Sequence, residues 1–156
     1  MPMTSWAQFA AARPDLADVG RSLIGPRDIA YLGTIRKDGG PRVHPVCPVF
    51  GGSRLFVGIG PASMKQHDLR RDPRCVLHAP LGPDDREFVI RARAVEVTAP
   101  ADRDLFEAAC RDAGVNVEAD GPVFELVVER VDTTMWENCG QPNTRPQRER
   151  WTADPT

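Results

Sequence analysis

The chain has 156 residues, an apolar fraction of 41% and a formal net charge of −2. That size suits one domain with one core, and the near-neutral charge argues against a general nucleic-acid binder. No apolar run approaches the roughly 20 residues that span a bilayer, and Met1 to Ala12 lacks the basic and apolar regions of a signal peptide, so the expected compartment is the cytoplasm.

In chain order, residues 4–20 read as an amphipathic helix. Thr4 or Ser5 is placed to cap it, Trp6, Phe9, Ala10 and Leu16 recur at helical spacing, and Pro14 splits it in two. Gly25-Pro26 closes this region. The period then changes. Asp28–Arg36 is rich in β-formers, and Lys37-Asp38-Gly39-Gly40 is a strong hairpin turn. Pro41–Phe50 follows as a second strand. Its prolines at 41, 45 and 48 cannot donate to a ladder, which predicts an edge or a bulge. After the Gly51-Gly52 turn, Arg54–Ile59 reads as a third strand, so the core opens with a three-stranded meander.

Residues 61–73 break the pattern and suggest a short helix ended by Asp72-Pro73. Arg74–Ala79 is a fourth strand. Glu87–Thr98 is a fifth, with Phe88, Ile90, Ala92 and Ala94 on one face and Val89, Arg91, Arg93 and Val95 on the other. Ala101–Ala113 is an amphipathic helix, and Val123–Val131 a sixth strand. The expectation is a mainly β fold, an antiparallel barrel with a few helices, occupying residues 1–135 with its N-terminal helix. Residues 136–156 read as a polar tail that docks partly at best.

Three stretches carry candidate chemistry. Pro-rich Arg42-Val43-His44-Pro45-Val46 leaves backbone groups free for a planar, polar-edged ring, and Arg42 suits an anion; an edge strand guarded by prolines explains the same residues. Ser63-Met64-Lys65 places a hydroxyl and an ammonium before a short helix, where a phosphate would fit; a capping serine and a solvated lysine explain it equally. His44, His67 and His78, with Cys47, match no common zinc spacing, so no metal site is expected. The four cysteines form no C-x-x-C pair and read as free thiols. No G-x-G-x-x-G, Walker A or G-x-S-x-G motif is present.

Taken in order, IAYLGTIRKDGGPRVHPVCPVF, RLFVGI and SMKQHDLRRDPRCVLH resemble the flavin-binding split-barrel proteins related to pyridoxamine 5′-phosphate oxidase, over about residues 28–98. The resemblance implies a six-stranded antiparallel split barrel of the FMN-binding type that forms a homodimer, with the cofactor at the subunit interface. It implies that Arg42, Val43, His44, Pro45 and Val46 lie along the flavin ring, with Arg42 near its phosphate or ribityl chain. Val57, Gly58 and Ile59 would line the ring, Ser63, Met64 and Lys65 would hold the phosphate, and Trp136 would complete the site from the partner subunit. The implied activity is an FMN-dependent oxidoreductase acting on a small molecule, with catalytic residues open. Asn138 to Arg150 carries no histidine and lacks the C-terminal pattern of true oxidases, which argues against pyridoxamine phosphate oxidation itself. Two alternatives remain. One is a deazaflavin-dependent reductase, whose acidic cofactor tail would need Arg70, Arg71 and Arg74. The other is a non-catalytic flavin or haem storage protein, with His44, His67 or His78 as axial ligand.

Overall fold

The computed structural model describes residues 4–25 and 29–153. The predicted Gly25-Pro26 boundary and the Asp28 start of the first strand fall partly outside the described residues. Helix α1 spans Trp6–Ala12 and α2 spans Pro14–Leu23. Ser5 caps α1 through a reciprocal box: its hydroxyl accepts from the Gln8 N–H, and the Gln8 Oε1 accepts from the Ser5 N–H. Pro14 divides the segment as expected and opens α2 at a position where its missing N–H costs nothing.

Eight strands follow: β1 (Ala30–Ile35), β2 (Pro41–Val46), β3 (Val49–Gly51), β4 (Arg54–Gly58), β5 (Arg74–His78), β6 (Glu87–Glu96), β7 (Val123–Glu137) and β8 (Arg145–Thr152). Helix α3 (Lys65–Arg71) lies between β4 and β5, and α4 (Pro100–Ala113) between β6 and β7. All the paired strands are antiparallel, in the order β2-β1-β5-β6-β7-β4-β3, with β8 added to β7.

Among the described residues the strand count is therefore eight, where six were expected. The predicted second strand breaks at Cys47-Pro48, because Pro48 offers no N–H to continue a ladder. Its first half pairs with β1 and its second half with β4. The expected meander is thus replaced by two hairpins at opposite ends of the sheet order. This break also dictates the shape. Val46 and Val49 are only three peptide units apart, at most about 11 Å. The two end strands they terminate must therefore come together, and the sheet curls into a half-barrel. β2 is an edge strand, as its prolines demanded.

The curl encloses the main core: Leu32, Leu55, Val57, Leu77, Phe88, Ile90, Leu126 and Val131 are all buried in one cluster. On β6 the buried face is Phe88, Ile90, Ala92 and Ala94, the alternation expected from sequence. A second cluster lies outside the barrel, where Phe106, Ala109 and Cys110 of α4 meet Val49, Phe56 and Val123. Burial pushes the Cys75 thiol up to about 12 and the Cys110 thiol up to about 11. Neither is a thiolate near neutral pH, so both serve packing. No helix among the described residues is long and apolar enough to cross a membrane.

Residues 136–153, expected to dock partly at best, lie mostly in the β7–β8 hairpin. Every residue of β8 from Arg145 to Thr152 has a partner on β7. Its apolar anchor is Trp151, 4.9 Å from the Phe9 ring, which continues through Trp6 to Phe50. Arg13 adds an ion pair to Glu149 at 2.7 Å. A strand of mostly exposed polar residues carries little sequence signal, and its register comes from backbone pairing and this one aromatic. Trp151→Ala is expected to cost about 2 kcal/mol and to raise hydrogen exchange across 145–152 while β1 to β6 stay protected. A urea midpoint and an exchange map check both.

Candidate functional site

The meeting of the sheet ends creates a cleft of about 450 Å³. Pro45, Val46 and Cys47 form one wall, Gly58, Ile59 and Gly60 another, and Lys65 lies at the start of α3. Phe106 and the connection after α4, residues 114–118 and Gly121, close the far side. The sequence order explains the assembly. β2 ends at the proline break, β4 ends at Gly58, and α3 begins five residues after Gly60, so three chain ends converge.

Pairing with β1 sorts the β2 side chains. Arg42, His44 and Val46 stand opposite Thr34, Leu32 and Ala30, all buried, so this is the inner face. Val43 and Pro45 stand opposite Gly33 and Tyr31 on the outer face. Arg42 is held by a buried carboxylate. Asp68 of α3 is 2% exposed; its Oδ2 accepts from Arg42 Nε at 2.7 Å and from the Thr34 hydroxyl at 3.0 Å. Its other oxygen accepts from Arg71 at 3.2 Å. Burial alone would raise the Asp68 carboxyl, but the bonds from Arg42, Thr34 and Arg71 outweigh it and hold it below the usual value.

Lys65 has the opposite situation. Burial lowers its ammonium pKa, and the Arg42 guanidinium lowers it further. Among the described residues, no carboxylate pairs with Lys65, and neither Nη of Arg42 has a hydrogen-bond partner. Two neighbouring cations with unused donors, one of them partly desolvated, make this corner of the cleft positively charged.

The remaining predicted residues divide. Pro45, Val46, Gly58, Ile59 and Lys65 line the cleft. Arg42 sits beside it, close enough to shift Lys65. Ser63 is half-buried and accepts weakly from the Lys65 N–H at 3.4 Å, while the residue that precedes α3 is Met64, itself exposed. Val57 points into the barrel core with no exposed surface. His44 is exposed on the inner face of β2, and Val43 lines a separate apolar depression. Trp136 lies on β7, which meets the cleft only through Val123. Thirteen residues of strand, at most about 43 Å along a curved path, separate the two, and Trp136 is not among the residues that line the cleft. Sequence reasoning missed Asp68, which reads as an ordinary helix acid until the β1–β2 register brings Thr34 and Arg42 over it. It also missed the 114–121 connection, whose only signal is the Gly114 and Gly121 pair.

The three arginines considered for an acidic cofactor tail are already paired. Arg70 bonds Glu96 at 2.6 Å, Arg71 bonds Asp68 and the Ile35 carbonyl, and Arg74 bonds Asp72 at 2.6 Å. His78 directs Nδ1 to the Ala79 carbonyl at 2.7 Å and faces the apolar depression with Tyr31. No cluster of metal-ligating side chains occurs among the described residues.

No family model and no curated protein matches the sequence. Solved structures do match. A heme binding protein from Mycobacterium smegmatis aligns with 19% identity and a TM-score of 0.62, over 86% of this chain and 58% of that one. The chain thus spans little more than half the length of that protein. A protein related to general stress protein 26, of the pyridoxinephosphate oxidase family, from Clostridium acetobutylicum aligns at 8% identity and TM-score 0.65, over 90% of this chain and 95% of that one. An F420 reductase aligns at 16% identity and TM-score 0.57, over 71% and 94%. With its curled antiparallel sheet and converging chain ends, the protein has the split-barrel fold of the pyridoxamine 5′-phosphate oxidase-like proteins, a fold shared with F420 reductase and heme-binding proteins.

Proposed function

We propose that the chain is an FMN-dependent oxidoreductase acting on a small molecule. The observation that carries this reading is the pair of cations at the cleft, Lys65 partly desolvated beside Arg42 and with no carboxylate partner among the described residues. A flavin phosphate would neutralise Lys65 and accept from the donors that Arg42 leaves unused. Bound there, FMN would provide the redox chemistry. The chain's part is to grip the phosphate with Lys65 and Arg42, to fix Arg42 through Asp68, and to shield one side of the ring with Pro45, Val46 and Phe106. FMN is favoured over a deazaflavin coenzyme because Arg70, Arg71 and Arg74 are each occupied by a carboxylate, leaving no free basic track for a longer acidic tail. The test is anaerobic mixing of the FMN-loaded chain with NADH or NADPH. Loss of the visible flavin absorbance on reduction, and its return with an electron acceptor, supports the oxidoreductase.

The working unit in this reading is a homodimer in the cytoplasm, in keeping with four free cysteines. Tyr31, Val43, Val76 and Leu81 are between 37% and 63% exposed and line a depression of about 480 Å³ on the outer face. An apolar area of this kind on a small domain calls for a cover, and a second copy would also bring a second Trp136, a residue that does not line the first chain's own cleft. Val43→Asp is expected to shift the dimer to monomer in analytical ultracentrifugation, with unchanged far-ultraviolet circular dichroism.

A haem-storage reading has one observation of its own. The His78 Nδ1 contact to Ala79 leaves Nε2 as a ligand beside an apolar surface. A Soret band on haem addition that disappears in His78→Ala would favour it.

A further inference from the structure

Among the described residues Glu118 is the one acidic side chain lining the cleft, and it stands on a fastened turn. The two oxygens of its carboxylate lie over Gly60, at 3.3 and 3.4 Å from where a β-carbon on that glycine would stand. The turn that carries it is fastened on three sides. The Gly121 N–H donates to the Glu118 carbonyl at 3.0 Å, and the Ile59 N–H donates to the Pro122 carbonyl at 2.9 Å. Gly121 approaches the chain just after β4 so closely that a β-carbon there would clash with the Ile59 carbonyl oxygen. Arg103 of α4 donates to the Gly121 and Ala119 carbonyls, both at 2.9 Å. Yet the carboxylate itself has no hydrogen-bond or ion-pair partner among the described residues, and Lys65, on the same cleft, does not pair with it.

A cleft with cationic donors left unused at one place, on Lys65 and the Arg42 Nη atoms, and an unpaired carboxylate on a fastened turn at another is polarised. A bare anion would gain from Lys65 and Arg42 and lose to Glu118. A ligand with donors adjacent to its anion gains from both. We infer that the cleft selects organic phosphates that carry hydroxyl or N–H donors beside the phosphate, and that the Glu118 carboxylate accepts from those donors. This rests on the reading of Lys65 and Arg42 as a phosphate site, and it makes Glu118 a specificity residue of that site.

Calorimetric titration with inorganic phosphate and with ribose 5-phosphate tests it on the full chain. The wild type is expected to bind ribose 5-phosphate about tenfold more tightly. Glu118→Ala is expected to erase that preference from both sides, weakening ribose 5-phosphate and strengthening inorganic phosphate about twofold. Glu118→Gln, which keeps a neutral acceptor, falls between. The side chain is exposed, and unchanged thermal midpoints for both variants establish that they fold. An unchanged preference in Glu118→Ala, or no preference in the wild type, overturns the inference. Lys65→Ala separates it from the reading beneath: phosphate binding that survives this change removes the phosphate site at Lys65, whereas a lost preference in Glu118→Ala with Lys65-dependent phosphate binding supports both.

Discussion

Lys65→Ala is expected to weaken FMN binding by about 10- to 100-fold while leaving riboflavin binding unchanged. The magnitude is that of one charge-assisted hydrogen bond to a phosphate. The direction follows from the site. The Lys65 ammonium is partly desolvated and lies beside Arg42, so its charged form is disfavoured in the free protein. A phosphate dianion relieves both burdens at once, which makes the ammonium worth more in the complex than an exposed lysine would be. Riboflavin has the same ring and ribityl chain without the anion. A loss confined to FMN therefore assigns Lys65 to the phosphate, and an equal loss for both ligands would assign it to the ring. Flavin fluorescence quenching measures both affinities.

The second large effect is at Asp68. Replacing it with Ala leaves Arg42, Arg71 and Thr34 without their shared acceptor, and breaking a buried pair from one side costs about 3 kcal/mol or more. Arg42 is also released from its fixed orientation, so FMN affinity falls with stability. Acid reproduces part of this. The folded carboxyl titrates below its ordinary value, so its contribution is full above the unfolded-state pKa of about 3.9 and is lost as pH falls through the lower folded-state value. Urea midpoints taken at falling pH should drop across that interval in the wild type and stay flatter in Asp68→Ala. Parallel curves for the two proteins would contradict this role for Asp68.

Much of the fold was legible in the sequence, because alternation and turn chemistry are local. Glu87–Thr98 shows its buried face residue by residue, and Pro14 marks the division of the first helices. Three features were not legible, each for a physical reason. The Cys47-Pro48 break looks like one more proline in a proline-rich edge, yet it transfers Val49–Gly51 to the other end of the sheet and so brings the sheet ends together. β8 is polar and exposed, and nothing but Trp151 marks it as a strand. Asp68 and Glu118 sit in segments whose sequence reads as surface helix and loop. Their neighbours come from β1, β2 and the chain just after β4, 26 to 58 residues away. The resemblance singled out Lys65 and the β4 end, which line one cleft, and Arg42, which sits beside it, but it could not show that Val57 faces the core or that Arg42 is held by a buried carboxylate.

The most direct test of the central claim is a competition. The wild-type chain is incubated with equal amounts of FMN, the deazaflavin coenzyme and haem, separated from free ligand by gel filtration, and its absorption spectrum recorded. The account predicts the FMN spectrum alone, at one flavin per chain. Retention of the deazaflavin or of haem in its place, or a protein that emerges colourless, would contradict it.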